Sequence, residues 1–370
     1  MSLNCGIVGL PNVGKSTIFS ALSAAPAEVA NYPFCTIAPN VGTVEVKDER
    51  LQKLADIVHP QKIVPAIVEF VDIAGLVKGA SQGEGLGNQF LGHIRNVHAI
   101  AHVVRCFGGE DVVHVNGRID PLDDIAVINT ELALADLETV EKRLGNVERL
   151  MKSQDKEVVK HAKITLPLLQ QLQKTLAAGK AARSLEFSPE DWLAVRDLQL
   201  LTAKPVLYVC NVAEKDLATG GNDYVKQVQQ LAATEKTSAI MICGKLELEI
   251  ASLETPEERE EFRKEAGIKV SGIDQLIQNA YQMLGLATYF TAGPKEVKAW
   301  TIRKGMKAPE AAGVIHSDFE RGFIKAQVFH CEDLFAAGSE AKVKELGKLR
   351  IEGKDYVVQD GDVMVFRFNV

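Results

Sequence analysis

The feature that most constrains this chain is the glycine-rich segment at residues 9–16, which reads GLPNVGKS. It matches the pattern G-x-x-x-x-G-K-[ST] through Gly9, Gly14, Lys15 and Ser16. The apolar segment LNCGIV before it predicts a strand, and TIFSALSAA after it predicts a helix. A strand, a glycine loop and a helix N-terminus in this order predict an α/β fold whose loop binds phosphate groups through its backbone N–H groups.

The side chains of this loop suggest how a nucleotide is held. Lys15 is the expected catalytic residue, because its ammonium group can bridge the β- and γ-phosphates. The Ser16 hydroxyl is expected to bind Mg²⁺. The contacts expected from the loop to the nucleotide are those of Asn12, Val13, Gly14, Lys15, Ser16 and Thr17.

A second motif lies at the end of the apolar segment VPAIVEFVDIAG (64–75), where Asp72 and Gly75 form D-x-x-G. Asp72 is expected to hold Mg²⁺ through water, and the Gly75 N–H to contact the γ-phosphate. Thr36, in the polar segment NYPFCTIAPN, is the natural candidate for a second Mg²⁺ contact. The glycine-rich segment after Gly75 predicts a loop that a γ-phosphate orders.

The segment VLYVCNVAE (206–214) predicts a buried strand that carries a short polar loop to one edge of the sheet. Ras-like GTPases have Asn-Lys-x-Asp at this place, whereas this chain has Asn-Val-Ala-Glu. Glu214 is one methylene too long to match the guanine N1–H and N2–H₂ groups. We expect Asn211 to contact adenine N6 and N7, Val212 to offer the base an apolar surface, and Gly244 to lie near the base. The loop therefore predicts ATP binding and permits GTP, while a solvated Glu214 with little base selectivity is the alternative.

Composition limits the partners and the location of the protein. The chain has 370 residues and a formal net charge of −7, so it lacks an overall basic field that would draw it to nucleic acid. Charged residues interrupt the apolar runs before they reach the roughly 20 residues that a membrane helix needs. The six cysteines include no C-x-x-C pair, which indicates reduced thiols. We therefore expect a cytoplasmic protein without a membrane partner. A monomer is the expected oligomeric state, although the composition does not determine it.

In the middle of the chain, the apolar residues recur at the spacing of a helical seam. Steps of three and four residues connect Leu137, Val140, Leu144, Val147 and Met151. The apolar segment KPVLYVC then returns to the nucleotide-binding domain, so the helices form a coiled-coil-like insertion; a helical layer packed on the sheet is the alternative. The predicted division is a nucleotide-binding domain at 1–128 plus 205–285, an inserted helical arm at 129–204 and a small C-terminal domain at 286–370.

Several segments together resemble the YchF/Obg-like ATPase family over essentially the whole chain: GLPNVGKST, NYPFCTIAPN, DIAGLVKGAS, NTELALADLE and HSDFERGFIKA. The resemblance implies a translation-factor-related P-loop NTPase with a helical arm and a C-terminal α+β TGS domain of β-grasp type. It also implies a preference for ATP and association with ribosomes or ribosomal RNA. The C-terminal domain has 13 basic and 12 acidic residues, so ribosome binding depends on the resemblance and not on charge.

Hydrolysis is expected to be slow, because Leu76 follows the D-x-x-G motif where Ras has the glutamine that orients water. The resemblance makes His114 the candidate catalytic residue, and it matches Asn12 to an asparagine that binds K⁺ in related NTPases. A surface histidine without a role, a GTP-specific translation GTPase, and a nucleotide-gated adaptor with negligible turnover are the alternatives. A disulfide between Cys5 and Cys35 would switch the site off, and inert core cysteines are the alternative to it.

Overall fold

The computed structural model describes residues 3–24, 40–74, 86–108, 119–268 and 270–369. The strands lie at β1 Asn4–Val8, β2 Val41–Val46, β3 Lys62–Val64, β4 Ala66–Asp72, β5 Ala99–Arg105, β6 Val206–Asn211, β7 Ser238–Ile242, β8 Leu286–Ala292, β9 Glu296–Arg303, β10 Phe323–His330, β11 Arg350–Glu352 and β12 Asp362–Phe368. The helices lie at α1 Lys15–Ser23, α2 Glu49–Val58, α3 Leu86–Asn96, α4 Pro121–Leu150, α5 Lys156–Ala177, α6 Pro189–Ala194, α7 Glu214–Ala218, α8 Asp223–Thr234, α9 Gly244–Ala251, α10 Pro256–Glu265, α11 Gly272–Met283, α12 Ala308–Ile315, α13 Ser317–Arg321, α14 Cys331–Ala337 and α15 Glu340–Glu345.

The first sheet has the strand order β2-β4-β1-β5-β6-β7, and only the β2–β4 pair is antiparallel. Every residue of β5 and β6 is buried, as the unbroken apolar segments of central parallel strands predict. The carboxyl ends of parallel strands meet at one edge of a sheet, so the loops after β1, β4 and β6 converge there. This confirms the predicted α/β fold of the P-loop type.

The inserted arm has a hydrophobic core of its own. Helices α4 and α5 pack against each other through Val140, Val147, Leu169 and Leu172, which are less than 5% exposed. The first turns of α4 instead belong to the core beneath the first sheet, so the boundary predicted at 128/129 falls inside a continuous helix. Across the described part of the chain, no helix is long and apolar enough to cross a membrane.

Asp136 fastens the base of the arm to the chain that leaves it. Its carboxylate accepts hydrogen bonds from the Leu201 N–H at 2.8 Å, the Thr202 N–H at 2.7 Å and the Thr202 hydroxyl at 2.6 Å. Asp136 is only 1% exposed, and burial raises its pKa despite these three donors. The arm is therefore attached at its base by hydrogen bonds that are shielded from water.

The second sheet has the order β11-β10-β12-β8-β9-β3, and helices α12 to α15 lie in the same part of the chain. Strand β3 comes from the middle of the predicted nucleotide-binding domain, yet it pairs in parallel with β9. Lys62, Ile63 and Val64 lie opposite Glu296, Val297 and Lys298. The C-terminal sheet is thus completed by a strand that lies far earlier in the chain.

Candidate nucleotide-binding site

The glycine loop turns from β1 into α1 as the sequence predicts. Asn12 and Gly14 have left-handed backbone conformations, with φ values of 64° and 91°. Gly14 is the N-cap of α1, and its carbonyl accepts a hydrogen bond from the Ile18 N–H at 3.1 Å. Within the described residues, no side chain caps this helix start. The uncapped amides and the positive end of the helix dipole favour an anion at this position.

Lys15 and Asp72 meet beside this loop. Parallel pairing places Asp72 of β4 next to Ile7 of β1, just before the loop begins. Lys15 is 9% exposed, and its Nζ donates a hydrogen bond to Asp72 Oδ1 within an ion pair. The carboxylate therefore neutralises a nearly buried ammonium group. The fold brings together two predicted site residues that are 57 positions apart in the sequence.

The oxygen atoms at the loop fit Mg²⁺. Ser16 is exposed as the second residue of α1, and the Asp72 side chain is 20% exposed. A hydroxyl and a carboxylate are hard oxygen donors, and Mg²⁺ commonly binds one or two such groups while it keeps several waters. Among the residues that the structure describes, no three histidine, cysteine or acidic side chains form a richer metal site.

Asn211 links two loops of the site, and its contact with a base stays a prediction. Its Nδ2 donates to the Val13 carbonyl at 2.8 Å, and its Oδ1 accepts from the Gly244 N–H at 3.0 Å. Asn211 is 6% exposed, so both bonds are shielded from water. The amide oxygen and one amide proton thus hold the phosphate loop and the β7–α9 loop together. The sequence places this asparagine at the carboxyl end of a central strand, but its pattern does not indicate the two partners.

This clamp also explains why residue 14 is glycine. A Cβ atom built on Gly14 would lie 2.1 Å from Asn211 Nδ2, far inside van der Waals contact. A Cβ on Gly244 would lie 2.9 Å from Ile18 Cγ1 and 3.5 Å from Asn211 Oδ1. The two glycines therefore allow three loops to approach one another closely.

Val212 and Glu214, two further residues of the predicted base-binding loop, differ in burial. Val212 is 3% exposed and belongs to the core beneath the first sheet. It extends the buried pattern of β6 one residue beyond the end of the strand, and its contact with a base stays a prediction. Glu214 is exposed as the first residue of α7, where the helix N-terminus also favours a carboxylate.

Some predicted site residues lie outside the described residues: Thr36, Gly75 and His114, together with Leu76 and Cys35. Cys5, the proposed disulfide partner of Cys35, is fully buried in β1. Burial raises the pKa of the Cys5 thiol to about 12, which keeps it protonated and disfavours the thiolate that disulfide formation needs.

Two family models match the chain. Residues 4–157 match MMR_HSR1, described as a 50S ribosome-binding GTPase. Residues 286–369 match YchF-GTPase_C, described as a protein of unknown function (DUF933).

Curated relatives and a solved structure match the chain over its full length. It is 58% identical to the ribosome-binding ATPase YchF of Bacillus subtilis (strain 168), with 100% of both chains covered. It is 52% identical to the protein of the same name from Escherichia coli O157:H7, again with 100% of both chains covered. The structure of the Schizosaccharomyces pombe YchF GTPase superposes with a TM-score of 0.90 at 38% identity, covering 99% of this chain and 98% of that one.

Proposed function

This chain belongs to the YchF family, and we propose that it is a Mg²⁺-dependent ATPase that acts as a slow nucleotide switch on the ribosome. One observation carries the proposal: Lys15 and Asp72 meet beside the N-terminus of α1, which no described side chain caps. This arrangement provides a cation, a metal-binding carboxylate and oriented amides within one loop, which are the groups that a nucleoside triphosphate requires.

In this proposal, different residues of the loop bind the phosphates and the metal ion. The amides from Asn12 to Thr17 hold the phosphates, and Lys15 exchanges its contact with Asp72 for the β- and γ-phosphate oxygens. Ser16, Asp72 and Thr36 would hold Mg²⁺ through their oxygen atoms. The ion would supply positive charge that offsets the charge of the phosphates. The Gly75 amide contacts the γ-phosphate, so that the segment after it responds to hydrolysis.

Slow turnover follows from the residue after D-x-x-G. Leu76 cannot form a hydrogen bond with water, so a different group has to orient the attacking water. We assign this role to His114, with K⁺ at Asn12 as an additional positive charge near the phosphates. Asn12 lies in the left-handed turn of the loop and is exposed, which is compatible with a ligand role.

ATP is the preferred nucleotide in this proposal. The bacterial relatives are named ATPases and the fission-yeast relative is named a GTPase, so the names alone leave the base open. Glu214 replaces the aspartate that binds guanine, and its exposed position at the start of α7 leaves it solvated. Asn211, Val212 and Gly244 shape the base side of the site mainly through protein contacts.

The ribosome is the proposed partner, and it would place the protein in the cytoplasm. The full-length match to relatives named ribosome-binding ATPases supports this partner. Five of the six strands of the second sheet, β8 to β12, lie in the region that matches YchF-GTPase_C, which is the TGS-type part of the chain.

Calorimetry with ATP and GTP on the same nucleotide-free protein in Mg²⁺ is the first test. Tighter binding of ATP supports the proposal, whereas GTP binding about ten-fold tighter, or about 1.4 kcal/mol, would return the protein to the GTP-specific switches. Turnover with and without ribosomes and K⁺ then separates an ATPase from an adaptor. The variant Lys15→Ala should lose nucleotide binding, while Lys226→Ala, at a 70% exposed side chain on α8, serves as the matched control.

A further inference from the structure

The strand that carries Asp72 is nearly continuous with a strand of the C-terminal sheet. Strand β4 ends at Asp72, and Pro65 is the single residue between its first residue and the end of β3. Strand β3 pairs with β9, whereas β4 pairs with β1 and β2. One extended segment therefore contributes to both sheets, with the metal-binding carboxylate at one end and the C-terminal sheet at the other.

Arg50 ties α2, the helix that follows β2 of the first sheet, to the C-terminal sheet. Its Nη1 donates to Asp360 Oδ2 at 2.6 Å, and Asp360 Oδ1 accepts from the Thr288 N–H at 2.8 Å. The guanidinium is held in place by Asp48, which accepts from Nε through Oδ1 at 2.9 Å and from Nη2 through Oδ2 at 2.7 Å. It also lies 5.3 Å from the centre of the Phe290 ring. Arg50 thus joins the N-terminus of α2 to strand β8 and to the turn before β12.

Apolar packing makes α2 part of both halves of the molecule. Leu51 and Leu54 of α2 are 5% and 0% exposed. They belong to one continuous core that also contains, from the C-terminal sheet and its helices, Phe290, Val297, Phe329, Leu334 and Val363. Interiors packed in this way transmit displacements instead of absorbing them.

We propose that α2 and β3 form a coupling element through which nucleotide binding at Lys15 and Asp72 changes the stability of the C-terminal sheet. The inference rests on the proposed nucleotide-binding function. A triphosphate with Mg²⁺ competes for both partners of the Lys15–Asp72 ion pair, so binding rearranges the end of β4. Coupling between two sites is reciprocal, so a partner that binds the C-terminal sheet changes nucleotide affinity by the same factor.

Hydrogen exchange followed by mass spectrometry on the full chain tests this coupling. We compare the protein with and without a non-hydrolysable ATP analogue in Mg²⁺, and follow peptides that cover residues 60–66, 286–292, 296–303 and 356–363. We expect exchange in these peptides to change by about five-fold or more, the lower end of typical allosteric couplings.

Two variants interrupt the element at its two connections. Asp360→Asn removes the charge that pairs with Arg50 but keeps an oxygen for the Thr288 N–H, so the response at 286–292 and 356–363 should fall below half. Ile63→Pro removes a main-chain donor from β3 and should abolish the response at 296–303. Asp355→Asn, at the exposed Lys307 ion pair of the same domain, is the matched control and should respond as the wild type does.

The outcomes distinguish this inference from the function on which it rests. If calorimetry shows that the analogue binds while the four peptides exchange at unchanged rates, the coupling is refuted and the nucleotide site stands. If Asp360→Asn and Ile63→Pro bind the analogue and keep the full response, α2 and β3 are not the route. If neither an ATP nor a GTP analogue binds, the proposed function fails and the coupling fails with it.

Discussion

Replacing Asn211 with alanine tests how the base side of the site is built. The substitution removes the hydrogen bonds to the Val13 carbonyl and from the Gly244 N–H, both in a side chain that is 6% exposed. A buried group left without its partner costs about 1–3 kcal/mol. Two groups lose their partners, and water that enters the opened space offsets part of this cost. We therefore expect the free energy of nucleotide binding to weaken by about 2–4 kcal/mol, which is a roughly 30- to 1000-fold loss of affinity.

This loss should appear in nucleotide affinity and should be the same for both bases. Without the clamp, the phosphate loop and the β7–α9 loop are expected to separate, and binding has to bring them together again. The bonds that are lost join protein groups only. Calorimetric titration of Asn211→Ala with non-hydrolysable ATP and GTP analogues should therefore show equal fold-losses for the two nucleotides.

Unequal losses would refute this reasoning. If ATP affinity falls more than about ten-fold further than GTP affinity, or the reverse, the difference of about 1.4 kcal/mol means that Asn211 contacts the base. The matched control is Asn279→Ala, because the Asn279 amide donates to the Gln275 carbonyl of its own helix, α11, at 2.8 Å. This control should change neither affinity.

Three further predictions follow from individual side chains. Gly14→Ala should weaken nucleotide binding in calorimetry at least as much as Asn211→Ala, because the new Cβ displaces the Asn211 amide and the left-handed backbone adds about 1–2 kcal/mol. Asp136→Asn turns an acceptor of backbone N–H groups into a partial donor, and should lower the stability of the arm by about 3 kcal/mol in urea unfolding followed by Trp192 fluorescence. For Asp360, burial raises the pKa, but hydrogen bonds from Arg50 and a backbone amide outweigh it and leave the pKa lowered. The stability advantage of wild type over Asp360→Asn, measured as thermal midpoints, should therefore be full at pH 7 and shrink as the pH falls below about 4.

A control variant checks the Gly14 prediction, and a contrary result is defined for each of the other two. Gly145→Ala, where a Cβ meets nothing within 4 Å, should leave nucleotide affinity unchanged. Equal unfolding midpoints for Asp136→Asn and wild type would show that the arm is not held at Asp136. A stability difference at Asp360 that stays constant from pH 7 to pH 3 would show that its carboxylate charge does not stabilise the fold.

The phosphate loop and the arm could be predicted because local rules determine them. The loop needs glycine at a left-handed position and a helix directly after it, and both requirements are visible in the sequence around Gly14. The arm shows its seam through three- and four-residue steps, and Val140 and Val147 are buried as those steps predict. In both cases the residues that determine the structure are close together along the chain.

Contacts between distant segments could not be predicted in the same way. Strand β3 has only three residues and begins with a lysine, so its sequence does not indicate a buried strand. In the structure, Ile63 is indeed 42% exposed. The Asn211 amide can donate and accept hydrogen bonds, so the sequence indicates a base contact. The clamp becomes visible only in the structure, which places Val13 and Gly244 on either side of Asn211. The burial of Val212 likewise depends on neighbours from β7 and the core.

The pairing of β3 with β9 has a consequence for the synthesis of the protein. Lys62 leaves the ribosome long before its partner Glu296, 234 residues later in the chain. At about 5–20 residues per second, this delay is on the order of 10 to 50 s. During that interval the segment before β4 is an unpaired edge, and its short length and its lysine limit association with other nascent chains. The segment that joins the two sheets is therefore among the first parts of the chain to be made and the last to be completed.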